Sequence, residues 1–246
     1  MDMSQAAETA LFSYRPLYVQ VKDSLVRRLI DGAWQPGQLI PSEIELAREI
    51  GVSQGTIRKA LDAMTAENLL IRRQGRGTFV AEPEESRILF QFFRMVSDNG
   101  ERAFPSSHVV GWTRSAASDA ERGALALSCG AEVFRVERIR TIAGKPVIIE
   151  TISLPAHRFD GFEQLPEIPN NVYRLYSLRW GITIARAEER LKAVIASPAD
   201  ATALGCSPSA PMLEISRVAF DLEAKPVELR LSRCLTDGIH YSSDLR

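Results

Sequence analysis

Only three of the 246 residues are cysteines, and Cys129, Cys206 and Cys234 stand far apart with no CxxC among them. An odd, widely spaced set excludes a disulfide framework and a zinc ribbon, so the three read as small buried hydrophobes. Long apolar runs are missing too: nothing approaches the roughly 20 residues that cross a bilayer. The N-terminal stretch MDMSQAAETALFSYRP lacks the basic start and apolar core of a signal peptide. No membrane partner is expected, and the cytoplasm is the expected compartment. Catalytic signatures are absent as well, with no GxSxG, HExxH, P-loop or dinucleotide fingerprint. His108, His157 and His240 have neither an i, i+4 partner nor a neighbouring cysteine. The sequence therefore gives no reason to expect a catalytic residue, a metal or a cofactor. Trp34, Trp112 and Trp180 are scattered, which suits core or interface positions better than a stacking platform.

Excess charge is the last absence, since the chain carries a net −1. Its distribution is less even than its sum. Tyr14 to Val80 holds ten Lys/Arg against seven Asp/Glu, and the remainder is net acidic. With 45% hydrophobic and 25% charged residues, the composition is that of an ordinary globular chain, long enough for one large domain or two small ones. So weak a basic excess is a faint electrostatic footprint, and any argument for DNA must rest on geometry.

That geometry begins in PLYVQVKDSLVRRLIDG. Tyr18, Val21, Leu25 and Leu29 recur at steps of three and four, one face of a helix that Gly32 can end. Ser42 stands three residues before Glu45 in PSEIELAREIG, a capping box opening a second helix that Gly51 stops. Ser53 caps a third, whose inner face is Ile57, Ala60, Leu61 and Met64. Ala47, Gly51 and Ile57 supply the small residue, the residue tolerant of positive φ and the apolar plug that a helix-turn-helix needs. The third helix then presents its N-terminal residues to a major groove. The DNA-facing candidates here are Ser42, Gln54, Gly55, Thr56, Arg58 and Lys59. LLIRRQGRGTFV follows as two β-prone runs about a glycine-rich tip, a hairpin wing offering Arg72, Arg73, Gln74, Gly75, Arg76 and Gly77 to the phosphates. A three-helix protein-interaction module would leave those glycines and the basic tip unexplained.

AEPEESR, residues 81–87, is acidic, holds Pro83 and has no apolar period, so it reads as a linker between a DNA-binding domain at 14–80 and a second domain at 88–246. In the second domain VFRVERIRTIAGKPVIIETISLP and MLEISRVAFDLEAKPVELRLSRCL are both strand, turn and strand, with Lys145-Pro146-Val147 matching Lys225-Pro226-Val227 at an offset of 80 (225 − 145). Each follows a short capped helix, opened by Ser118 with Glu121 and by Ser197 with Pro198. Between them Asn171 to Trp180 reads as a helix that Gly181 stops, and Ile182 to Ala196 begins as a strand. The expected fold is α+β, one antiparallel sheet with helices packed on a face. On the first strand Phe134, Val136, Arg138 and Arg140 share a side. A loop of Ala143-Gly144-Lys145 would set Arg138 opposite Glu150; a two-residue turn would send Glu150 to the other side. Two arginines and a carboxylate on an apolar sheet suit a small anionic ligand, and equally suit an ion pair at the sheet's rim.

The stretch from PLYVQVKD to GRGTFV resembles the winged helix-turn-helix of GntR-type regulators, and QGRGTFV with the repeated sheet resembles the HutC subfamily. The resemblance implies a UTRA effector domain similar in fold to chorismate lyase, and a homodimer bound to an inverted-repeat operator in double-stranded DNA. Arg58 and Gly75 match the family pattern, whereas Ile44 and Gln54 stand where members often carry arginine, so an operator sequence does not transfer. The resemblance also implies that Arg138, Arg140 and Glu150 fall where members hold phosphorylated sugars, with Glu228 a further ligand position. Cys234 replaces a phosphate-binding tyrosine, which leaves room for an organic acid beside a sugar phosphate. The function expected is a ligand-controlled transcription regulator, a repressor in the leading form. A lyase-like enzyme fused to a DNA-binding domain and a constitutive architectural DNA binder are the alternatives, and fold alone does not decide between them.

Overall fold

The computed structural model describes residues 16–67, 69–81, 93–99 and 105–243. The chain divides into two compact units, Met1–Glu82 and Pro83–Arg246. Apart from Ala81, the expected linker lies outside the described residues.

The first unit holds α1 (Leu17–Ile30), α2 (Glu43–Ile50), α3 (Gln54–Ala66), β1 (Leu70–Arg73) and β2 (Gly77–Val80). Local chemistry sets the boundaries. Ser42 and Glu45 make a reciprocal capping box at α2, and Gly51 ends it in the left-handed conformation. Ser53 then accepts from the Thr56 amide to start α3. Leu25, Leu46, Ile57, Ala60, Leu61 and Met64 are all but fully buried and form the core. Tyr18, expected inside, stays exposed in the first turn of α1, and Val26 is buried instead. β1 and β2 pair antiparallel from Leu70↔Val80 to Arg73↔Gly77. The segment before α2 lies along β2, with Ile40 N donating to Thr78 O at 2.9 Å and Val80 N to Gln38 O at 2.8 Å.

The second unit holds β3 (Met95–Ser97), β4 (Ser106–Ala116), α4 (Asp119–Leu125), β5 (Glu132–Ile142), β6 (Lys145–Pro155), α5 (Val172–Trp180), β7 (Ile184–Ile195), α6 (Pro198–Leu204), β8 (Pro211–Asp221), β9 (Pro226–Leu235) and β10 (Ile239–Tyr241). Six strands make one antiparallel sheet in the order β4-β5-β6-β9-β8-β7, and β3 pairs with β10 as a separate ribbon. The order is symmetric about the β6–β9 seam, as a duplicated β-α-β-β unit requires. Before the hairpin turn the offset is 79, which carries α4 onto α6 (198 − 119) and β5 onto β8 (211 − 132); after it the offset is 80. One extra residue in the second turn accounts for the change. The helices α4 and α6 cover one face, with Ala117, Leu125 and Val133 in one apolar cluster and Ala196, Leu204 and Met212 in another. On the other face α5 packs over Phe134, Ile152 and Ala219, while Met95 and Ile239 of the ribbon pack over Ile148 and Cys234.

Of the two loops open at Ala143 to Lys145, the shorter is present. Ile142 pairs with Lys145, so the turn is Ala143-Gly144, both with positive φ (48° and 78°) as a type I′ turn needs. The expected consequence of such a turn is overturned, because a bulge between Arg140↔Ile148 and Thr141↔Pro146 inserts Val147 and shifts the register by one. Arg138 thus faces Glu150 after all.

Candidate DNA-binding surface and effector site

On the first unit the expected DNA-facing side chains converge on one carboxylate. Glu43 Oε2 accepts from Arg58 Nε at 2.9 Å and from Gln54 Nε2 at 3.3 Å, and Oε1 accepts from Arg72 at 3.4 Å. Arg72 also pairs with Asp62 at 2.6 Å, and Arg73 lies 4.8 Å over the Phe79 ring. Ser42 and Thr56 serve the helix starts, Thr56 Oγ1 lying 2.9 Å from Ser53 Oγ. Gly55 and Lys59 are exposed on α3, as are Gln74, Gly75 and Arg76 at the wing tip. Gly77 has a φ of +103°, and a Cβ there would meet Leu39 Cδ1 at 2.8 Å. The positive φ favours glycine at this position, while the half-exposed Leu39 methyl could swing aside.

In the second unit the residues between the α5 cluster and the ribbon cluster are charged. Arg138 is wholly buried and donates from Nε to Glu150 and from Nη1 to Asn170 O at 3.3 Å, while its Nη2 has no hydrogen-bond partner among the described residues. Arg140 and Arg230 each lie 3.6 Å from Glu150, and Ser232 donates to it at 3.2 Å. Burial would raise the Glu150 carboxyl, but Arg138, Arg230 and Arg140 outweigh it and hold the group well below the usual carboxylate range. Burial pulls the Arg140 guanidinium down to about 9, against the attraction of Glu150, and leaves it charged at neutral pH. Glu228 is met by Arg230 at 2.8 and 2.9 Å and by the hydroxyls of Tyr173 and Tyr176 at 3.1 and 2.8 Å. Arg217 pairs with Glu189 at 2.6 Å, and Glu189 also accepts from the Tyr241 hydroxyl.

A cavity opens beside this cluster. Arg140, Glu150, Arg217, Arg230, Asn171 and Cys234 are on its wall; Arg138 and Glu228 stand behind it. Asn171 caps α5 through Oδ1, and its buried Nδ2 has no partner among the described residues. Asn171, Arg217 and Arg230 are not among the site residues expected from the sequence. A signal for two of them existed in the repeat. Arg217 answers Arg138 at the offset of 79 (217 − 138), and Arg230 answers Glu150 at 80 (230 − 150).

The family model for bacterial regulatory proteins of the gntR family matches residues 17–80, and that for the UTRA domain matches residues 101–240. The chain belongs to the GntR family and carries a UTRA domain. This GntR regulator is 30% identical over 210 residues to the HTH-type transcriptional repressor NagR of Bacillus subtilis, covering 83% of this chain and 84% of that one. It is 38% identical over 136 residues to the histidine utilization repressor of Pseudomonas putida, 55% of each chain. Among solved structures, PhnF from Mycobacterium smegmatis superposes with a TM-score of 0.56 at 25% identity, covering 91% of this chain and 98% of that one. The α+β fold and the HutC-type assignment follow, and with them the activity: a DNA-binding transcription regulator of the effector-controlled kind. No helix among the described residues is long and apolar enough to cross a membrane.

Proposed function

We propose that this GntR regulator is a cytoplasmic, homodimeric repressor, not an enzyme, that a small anionic metabolite releases from an inverted-repeat operator. Residues 14–80 would grip DNA, 81–87 link, and 88–246 bind effector and dimerise. One observation supports the effector class most. Among the described residues, four buried arginines, Arg138, Arg140, Arg217 and Arg230, share the sheet face beside the cavity with three buried or half-buried glutamates, Glu150, Glu189 and Glu228. Guanidinium groups gathered around a cavity, with the buried Asn171 amide aimed among them, suit an anionic occupant. Arg140 with Glu150 would meet it directly, Arg138 and Glu228 would hold that pair in place, and Asn171 Nδ2 would donate a further hydrogen bond. The test is a band shift of a duplex that the protein selects from a random-sequence pool, across sugar phosphates and small organic acids. Release by one such anion is the expected result. Release by none of these anions, or turnover of the releasing compound, would overturn the reading.

A further inference from the structure

Glu43 is a carboxylate on the surface that faces phosphates, where a lone negative charge opposes DNA binding. Its side chain is 22% exposed and touches every DNA-facing element at once: Gln54 and Arg58 on α3, and Arg72 on the wing. The start of α2 has its own capping box in Ser42 and Glu45, so that requirement is already met without Glu43. The Arg58 hydrogen bond, against a partial burial, holds the Glu43 carboxyl below its ordinary value, so it is charged at neutral pH. Both Nε and Nη2 of Arg58 lie 2.9 Å from its Oε2. A guanidinium offers a side edge and an end fork, and bidentate recognition of guanine uses one of them. With the side edge held by Glu43, the end fork is left for the base. The same carboxylate draws Gln54 Nε2 to itself and leaves the amide oxygen as the acceptor on offer.

We propose that Glu43 is a positioning residue for operator reading: it fixes the orientation of Arg58 and Gln54 and links Arg72 to α2, weakening attraction to any phosphate backbone while sharpening discrimination among sequences. The inference rests on the DNA-binding role of α3 and β1. Its test uses the full-length protein, a duplex selected by the wild type from a random-sequence pool, and a scrambled duplex at the same salt. Glu43→Gln should bind the scrambled duplex more tightly and cut the selected-to-scrambled ratio about tenfold, the scale of one bidentate base contact. In an Arg58→Ala background the same change should alter the ratio by less than about twofold, because the residue it acts through is gone. Glu43→Asp keeps the charge but draws it back by one methylene, and should lose discrimination without gaining affinity for the scrambled duplex. A wild-type ratio in either single variant, or an undiminished loss with Arg58 absent, overturns the proposal. If Arg58→Ala itself leaves the ratio intact, it is the DNA-binding role of α3 that fails.

Discussion

Arg58 holds its place through Glu43 alone among the hydrogen bonds described, on an exposed surface where solvent screens an ion pair. Arg58→Ala should therefore leave the thermal midpoint in place while weakening operator binding by about 1–3 kcal/mol, measured by titration at fixed salt. Unchanged affinity would reject α3 as the reading helix. Gly77 behaves in the opposite way. Its φ of +103° means that Gly77→Ala should cost about 1–3 kcal/mol of stability in urea, whereas Gly75→Ala, with a φ of +68° nearer the left-handed helical region and open space around it, should cost less. Equal losses at the two glycines would show that the larger φ of Gly77 stores no extra strain. The sequence announced both glycines as turn formers, but only the folded chain brings Leu39 under one of them. Glu43 was illegible for a similar reason: its partners Gln54, Arg58 and Arg72 are 11, 15 and 29 residues away.

Elements were readable where capping chemistry is local. Ser118 with Glu121 predicted α4, and the folded chain adds what no local motif contains: Glu121 also accepts from Arg135 and from Ser153 at 2.7 Å. Asp200 repeats the device in α6 with Arg233. Burial opposes ionisation of Glu121, yet Arg135 and the Ser118 cap bring its carboxyl down to about 2 from 4.5. A depressed acid stabilises the fold above its unfolded value and loses that contribution as the pH falls through about 4.5 towards 2. Glu121→Gln should lower stability at neutral pH and flatten its decline across that window in urea titrations at several pH values. An unchanged acid limb would mean that other carboxylates control it. Register was the hard part. Arg138 facing Glu150 depends on a two-residue turn and a bulge at Val147 that compensate each other, and neither is written in the alternation of apolar residues. The wing follows from its own composition. Replacing Arg72, Arg73 and Arg76 with glutamine should weaken selected and scrambled duplexes alike and reduce the salt slope by about 0.9 for each phosphate that is no longer neutralised. Selective loss of operator binding would make the wing a reader of bases.

At the scale of the whole chain, the duplicated unit explains why the proposed effector site lies where it does. Folding the repeat about the β6–β9 seam brings Arg138 and Glu150 of one half beside Arg217 and Arg230 of the other, so that a cluster assembles from residues nearly 80 positions apart. The repeat was visible from Lys-Pro-Val alone, but the change of offset from 79 to 80 hid the match between Arg138 and Arg217. The two arginines of the first strand consequently have separate tasks. Arg138, wholly buried against Glu150, is part of the fold: Arg138→Ala strips that carboxylate of its nearest counter-charge and should cost about 3–5 kcal/mol of stability. Arg140 faces the cavity and lies 5.3 Å beneath the Phe93 ring, just before β3 and the first described residue after the linker in sequence. An anion drawn to Arg140 would act on that packing, and DNA affinity would change by the ligand's differential affinity for the two arrangements, typically about 1–3 kcal/mol. Arg140→Gln removes the charge and keeps most of the stem. It should bind the selected duplex as the wild type does and need at least about tenfold more of the releasing compound to let go. Release at the wild-type concentration would place the anion elsewhere in the cavity and leave Arg140 as a structural neighbour of Glu150.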